Sequence, residues 1–168
     1  IGKNPEPVKV IRKQEWKTWA DRASSSVKGN ESAIIEGCLA KMKKLDADIA
    51  QLESERKTAS QDADELFKKS RQARGEGKKK EADNLAGEAE RRHTVASSKQ
   101  SMAFYQASRM DLVLNVADNA YASADDKNAV TKSYSEIQSI HSRHFETYIK
   151  PILDAAAKRQ EIRNRKKK

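Results

Sequence analysis

His141 and His144 stand three residues apart with Glu146 close behind, a spacing at which two imidazoles on one helical turn can approach a single metal ion. They fall, however, on a broad stripe of Val130, Tyr134, Ile137, Ile140, Phe145, Tyr148 and Ile149. On such a stripe histidines pack into a core or an interface, so no metal is expected. Cys38 is the single cysteine, which excludes an intramolecular disulfide and fits a reducing compartment. It is read as a small core residue. The chain contains no Gly-rich phosphate loop, no Cys-x-x-Cys and no Gly-x-Ser-x-Gly, and its many carboxylates form no patterned pair. No catalytic residue and no cofactor are expected, and the protein is read as a binder, not an enzyme.

The chemistry that does stand out is charge. The formal net charge is +9, with 34 Lys and Arg against 25 Asp and Glu, which points to an anionic partner: a nucleic acid or an acidic membrane surface. Both tryptophans, Trp16 and Trp19, lie three residues apart among Lys9, Arg12, Lys13 and Lys17. A basic segment with two amphipathic aromatics can lie at a lipid headgroup boundary. Equally, the two rings can clamp this segment onto the helix that follows, and the residues leave both readings open. In the first reading Lys41 and Lys44 join the lipid-facing set. A second basic cluster (Lys68, Lys69, Arg71, Arg74, Lys78, Lys79, Lys80) gathers near Gly75 and Gly77; it is either a contact site or a solvated face. No apolar run approaches the length of about 18 residues that spans a bilayer. Any membrane association is therefore expected to be peripheral and cytoplasmic.

These residues must be positioned by helices. Glycine is scarce and proline occurs only at 5, 7 and 151, while the long middle of the chain is rich in Ala, Lys, Glu and Gln. The expected fold is all-α: an elongated antiparallel helical hairpin with additional C-terminal helices. Residues 1–29 form a basic segment with a short helix near 10–20, 30–122 form the hairpin with its turn at 75–77, and 123–168 form the C-terminal helices and a basic tail. Ile35, Cys38, Met42, Leu45, Ile49, Leu52, Ala59, Ala63 and Leu66 recur at a 3.5-residue period, broken at Arg56, which is a coiled-coil seam. The second arm offers Ala82, Leu85, Ala86, Ala89, Val95, Met102, Tyr105, Leu112, Val113 and Val116. Each arm is about 65 Å long at 1.5 Å per residue, and Gly75 and Gly77 supply the turn. Asn30 is a plausible N-cap. Ser123 and Asp126 match a Ser-x-x-Asp cap for a helix from about Asp125 to Ile149. Pro151 interrupts that helix, and the tail from Arg163 is expected to be disordered. The thin, Ala-rich opening of the second arm implies stabilisation by neighbouring copies.

The run Arg71-Gln72-Ala73-Arg74-Gly75-Glu76-Gly77-Lys78-Lys79-Lys80-Glu81-Ala82 resembles the short, basic, glycine-containing hairpin turn of the ESCRT-III (charged multivesicular body) family. Asn84 to Arg92 is similar to the opening of that family's second helix, and Ala107-Ser108-Arg109-Met110-Asp111-Leu112-Val113 to Ala120 to the stretch after its mid-helix Ser-Ala-Arg. The resemblance covers residues 8 to about 140, and the bacterial phage-shock and thylakoid vesicle-forming proteins share the same hairpin. It implies a filament of copies on an anionic membrane that remodels or scissions it, with partners that are anionic lipids and the protein itself. Contacts between copies are then expected at Leu112, Val113, Val116, Ile137 and Phe145. The family pattern continues into an acidic region that recruits an AAA ATPase. This sequence ends in Lys and Arg, so such an ATPase enters only through a tail outside it. The alternative is a basic helical RNA- or ribosome-associated protein whose ends neutralise phosphates.

Overall fold

With its prolines confined to three positions, the chain has nothing to stop a helix between Asn30 and Lys150 except its own turn residues. The computed structural model describes residues 5–168; residues 1–4 of the expected N-terminal segment lie outside the described part. Among the described residues there are α-helices α1 (Lys13–Ser25), α2 (Glu31–Gly75), α3 (Lys79–Ser123), α4 (Asn128–His144) and α5 (Lys150–Lys166), with a π-turn at Phe145–Ile149 and no strand. The fold is all-α, as expected, with a long helix pair that reverses at residues 76–78. The chain divides into two compact units: Asp48–Ala103 with the short segment ending at Val8, and Lys9–Ala47 with Phe104–Lys168.

The first unit holds the hairpin turn. Gly77 alone of the two turn glycines is left-handed, at φ 77°. Lys78 N–H donates to the Ala73 carbonyl (2.9 Å) and Gly77 N–H to that of Arg74 (3.1 Å), a Schellman closure with Gly77 at its left-handed position. Gly75 is instead the last residue of α2, which corrects the expectation that both glycines make the reversal. Beyond the turn the arms run antiparallel. Ser70 Oγ donates to the Ala82 carbonyl (2.7 Å), Arg74 pairs with Asp83 (3.1 Å), Phe67 faces His93, and Lys99 pairs with Glu55 (2.7 Å).

The seam of this unit is almost entirely alanine. Ala82, Ala89, Ala96 and Ala103 recur every seven residues on α3, and Ala59, Ala63 and Ala73 are buried on α2 beside Ile49 and Leu52. Arg56 is exposed, as its interruption of the pattern predicts. Val95, by contrast, is 41% exposed. The frame expected for the second arm is therefore wrong there. Small residues carry the contact, so the bulky neighbour one step before Ala96 is turned outward.

The second unit contains the large side chains. Ile35, Cys38, Met42 and Leu45 of α2, Met110, Val113 and Val116 of α3, and Val130, Ile137 and Ile140 of α4 are all buried. Tyr105, expected on the seam, is 49% exposed for the reason that displaces Val95. Helix α4 is aligned by polar contacts on both flanks. Toward α2, Ser133 bonds Glu36, Lys43 pairs with Glu136 (3.5 Å), and Arg143 and His144 both reach Asp46. These pairs advance together along both helices, so α4 runs parallel to α2. Toward α3, Tyr134 donates to Asp118 and His141 meets Asp111, pairs that advance in opposite senses, so α4 is antiparallel to α3.

Several boundaries differ from expectation. Helix α1 begins at Lys13 and continues to Ser25, later than the segment 10–20. Helix α4 begins at Asn128 with Lys127 at its N-cap, not with a Ser123 cap. Lys127 Nζ instead donates to the carbonyls of Tyr121 (3.1 Å), Ala122 (3.4 Å) and Ala124 (3.1 Å) and lies 5.4 Å from the Tyr121 ring. The last turn of a helix leaves four carbonyls unpaired and carries partial negative charge, so an ammonium group is well placed there. Pro151 sits in the first turn of α5, where its missing N–H costs least, and the chain stays helical through Lys166. The tail expected to be disordered is therefore helical over Arg163–Lys166, with Arg165 paired to Glu161 at 2.5 Å.

Candidate anionic-surface interface

The basic residues of the N-terminal segment and the tryptophans among them have separate fates. Trp16 is 8% exposed and meets Trp19 edge-to-face, with ring centroids 5.8 Å apart at 87°. Lys41 Nζ from α2 lies 5.3 Å from the Trp16 ring centroid and 4.7 Å from that of Trp19. The two rings and Lys41 thus clamp α1 onto α2, one of the two readings open in the sequence. Lys9, Arg12, Lys13, Lys17 and Lys44 remain exposed. Of the residues expected to face lipid, Trp16 is turned inward and Trp19 and Lys41 are half-buried, because aromatic faces attract the ammonium and the apolar ring area favours burial.

The two histidines do not share a site. His141 Nε2 lies 2.5 Å from Asp111 Oδ1, and His144 Nε2 lies 2.6 Å from Asp46 Oδ1, with Arg143 Nη2 on the same carboxylate oxygen at 3.0 Å. Each imidazole is directed to its own carboxylate on a different helix. Among the described residues no group of three His, Cys, Asp or Glu side chains is arranged to hold a metal ion. These pairs order α4; the spacing of the histidines was visible in the sequence, but their partners Asp46 and Asp111 were not. Near them Asp118 accepts from Tyr134, whose hydroxyl is pushed up to about 12, first by burial and then by that bond. Burial likewise pushes the Cys38 thiol up to about 11, against the opposing charge of Lys41.

The residues expected to join copies divide as well. Val113, Val116 and Ile137 are buried in the chain's own core and are unavailable to a neighbour, whereas Leu112 and Phe145 are half-buried. At the hairpin turn, Lys78 pairs with Glu76 at 3.0 Å, and the bond from Lys78 holds the Glu76 carboxyl below its usual range. With Arg74 engaged by Asp83, part of that cluster is neutralised locally.

What remains is a charge distribution that segment-by-segment counting exposes. Residues 1–29 hold seven Lys and Arg against three Asp and Glu, residues 30–149 hold nineteen against twenty, and residues 150–168 hold eight against two. The long middle is thus near neutral, and the excess lies in the segments of α1 and α5. Every residue from Lys150 to Lys168 is exposed, including Ile152, Leu153 and Ile162 at 48%, 54% and 50%. Among the described residues no helix is long and apolar enough to cross a membrane. Comparison with protein-family models, with curated proteins and with solved structures finds no match for this chain. The class defined here is an all-α helical-hairpin protein with basic flanking helices.

Proposed function

We propose that this protein acts by binding, as a peripheral protein of anionic membrane surfaces that assembles with copies of itself into a remodelling filament of the ESCRT-III kind. The observation that carries the reading is the segregation of charge: a near-neutral hairpin flanked by basic segments whose Lys and Arg side chains, among the described residues, stay exposed. Each basic residue held near an acidic leaflet contributes on the order of 1 kcal/mol, and the attraction declines over a Debye length of about 8 Å at physiological salt. Several residues at each end suffice for reversible binding, and assembly multiplies it through avidity. The thin alanine seam favours assembly, since small side chains bury little apolar area and leave stability to be gained from neighbours. The likeness of the turn and of Ala107 to Ala120 to ESCRT-III proteins supports the filament form of the reading.

The test is flotation with liposomes of phosphatidylserine and phosphatidylcholine, combined with sedimentation velocity and negative-stain microscopy. The reading requires binding to acidic but not neutral liposomes, loss of binding at high salt, and larger species on the membrane. A protein that stays monomeric at high concentration with and without lipid lacks the filament. One that ignores acidic liposomes but binds RNA has nucleic acid as its anionic partner.

A further inference from the structure

Helix α5 is anomalous for a helix of this length. Its seventeen residues include none that is buried, so no side chain of it adds to the core, and it stands as the continuation of α4 through the π-turn. One of its faces also combines apolar and basic groups, although Leu153, Lys158 and Arg165 lie off it. Ile152, Ala156, Arg159 and Arg163 follow one another at spacings of four, three and four, and so share a face. Ala155, Ile162 and Lys166 fall on its shoulder, while both acidic residues, Asp154 and Glu161, lie seven apart on the opposite side. Of the two, Glu161 is engaged within the helix by Arg165. Among the described residues no carboxylate pairs with Arg159, Arg163 or Lys166.

We infer that α5, not α1, is the element that meets the membrane, lying flat in the headgroup region of an acidic leaflet with the Ile152–Arg163 face inward. The inference rests on the membrane reading above and names the site within it. A lipid surface is the occupant because it satisfies both halves of the face at once. Guanidinium and ammonium groups reach phosphates and carboxylates while their stems and the isoleucines enter the acyl boundary. RNA would match the charge but leave Ile152 and Ile162 in water, and α5 has no aromatic residue on which a base can stack. The tryptophans that gave α1 its interfacial character are already committed to Lys41.

The experiment compares four full-chain proteins on vesicles of phosphatidylserine and phosphatidylcholine in equal parts: the parent, Arg159→Gln with Arg163→Gln and Lys166→Gln, Ile152→Ser with Ile162→Ser, and Arg12→Gln with Lys13→Gln and Lys17→Gln. Because every α5 residue is exposed, its variants keep the parent's melting temperature. The α5 charge variant should lose affinity on the order of a hundredfold, from about 1 kcal/mol per basic residue. The isoleucine variant should lose the salt-resistant part of binding, and the α1 variant should change by less than about tenfold. An environment-sensitive dye on Ala156→Cys, in a Cys38→Ala background, should shift to the blue on acidic vesicles. If the α1 variant loses binding while the α5 variants bind like the parent and the dye does not shift, the assignment to α5 is wrong and the membrane reading stands. If the parent does not bind these acidic vesicles, whether or not it binds RNA, both fail.

Discussion

Trp16 buries its ring but leaves Nε1 without a hydrogen-bond partner. Its value to the fold therefore lies in apolar area and in the faces it and Trp19 offer to Lys41. Trp16→Phe, which keeps a ring and removes the unpaired N–H, should change unfolding free energy by less than about 1 kcal/mol, while Trp16→Ala should cost about 3 kcal/mol. Urea denaturation of the two variants measures the difference. Cys38 allows a test of burial through pH. Its thiol is raised from 9.0 to about 11 in the folded chain. The unfolded chain thus releases this proton first as pH rises. The stability contributed by the neutral thiol is fully present below pH 9 and is lost as pH climbs toward 11. Relative to Cys38→Ala, the parent should lose about 2 kcal/mol across that window, read as a convergence or crossing of the two stability curves. A carboxylate behaves in the opposite sense. Glu55, held low chiefly by its bond from Lys99, stabilises at neutral pH and loses that contribution as acid protonates it.

At the scale of the element, the hairpin turn separates two glycines with the same neighbours and different duties. Gly77 occupies a left-handed position that a side chain strains, so Gly77→Ala should destabilise by about 1–2 kcal/mol. Gly75 is helical with open space where a Cβ would stand, so Gly75→Ala should stabilise by about 0.5–1 kcal/mol. Equilibrium denaturation gives opposite signs for the pair, and like signs would mean that the Schellman closure is misplaced. This distinction was not legible in Gly-Glu-Gly, because either glycine supplies the required φ. The first arm was legible in detail, since Ile35, Met42, Leu45, Ile49 and Leu52 are large enough to mark the frame. The second arm was not. Alanine is a weak marker, and Val95 and Tyr105 drew the frame toward themselves although the contact runs through Ala96 and Ala103. The start of α4 was missed because Lys127 acts at the end of the preceding helix, a role that no local motif announces. Of the candidate interface, the charge of α5 was countable from the sequence, but its complete exposure was not, nor was the burial of Trp16.

For the molecule as a whole, the two units differ in what fills them. Asp48–Ala103 is held by alanine, with Ile49 and Leu52 its large buried side chains, while the other unit buries isoleucine, methionine, leucine and valine from three helices. Local opening follows buried apolar area. Hydrogen exchange should therefore release the amides of residues 59–100 well before those of residues 107–120, and uniform protection along α3 would show that the alanine seam is as strong as the larger core. The same contrast leaves the first unit with the most to gain from a neighbouring copy.

The π-turn at Phe145–Ile149, closed by the Lys150 N–H on the Phe145 carbonyl, places one additional residue in the helical path. Each residue of an α-helix advances the surface by about 100°, so the turn resets the phase of everything after it. Counting on from Ile137 and His144 without the insertion, the buried line of α4 would arrive at Pro151. With the insertion it arrives at Ile152, and then at Ala156, Arg159 and Arg163. Deleting Thr147 would preserve the charge of α5, its composition and its length while rotating that line away by about 100°. Such a deletion separates aim from electrostatics. If orientation matters, the shortened chain will bind acidic vesicles less tightly than the parent at equal charge, and if it binds equally well, only the number of basic residues counts.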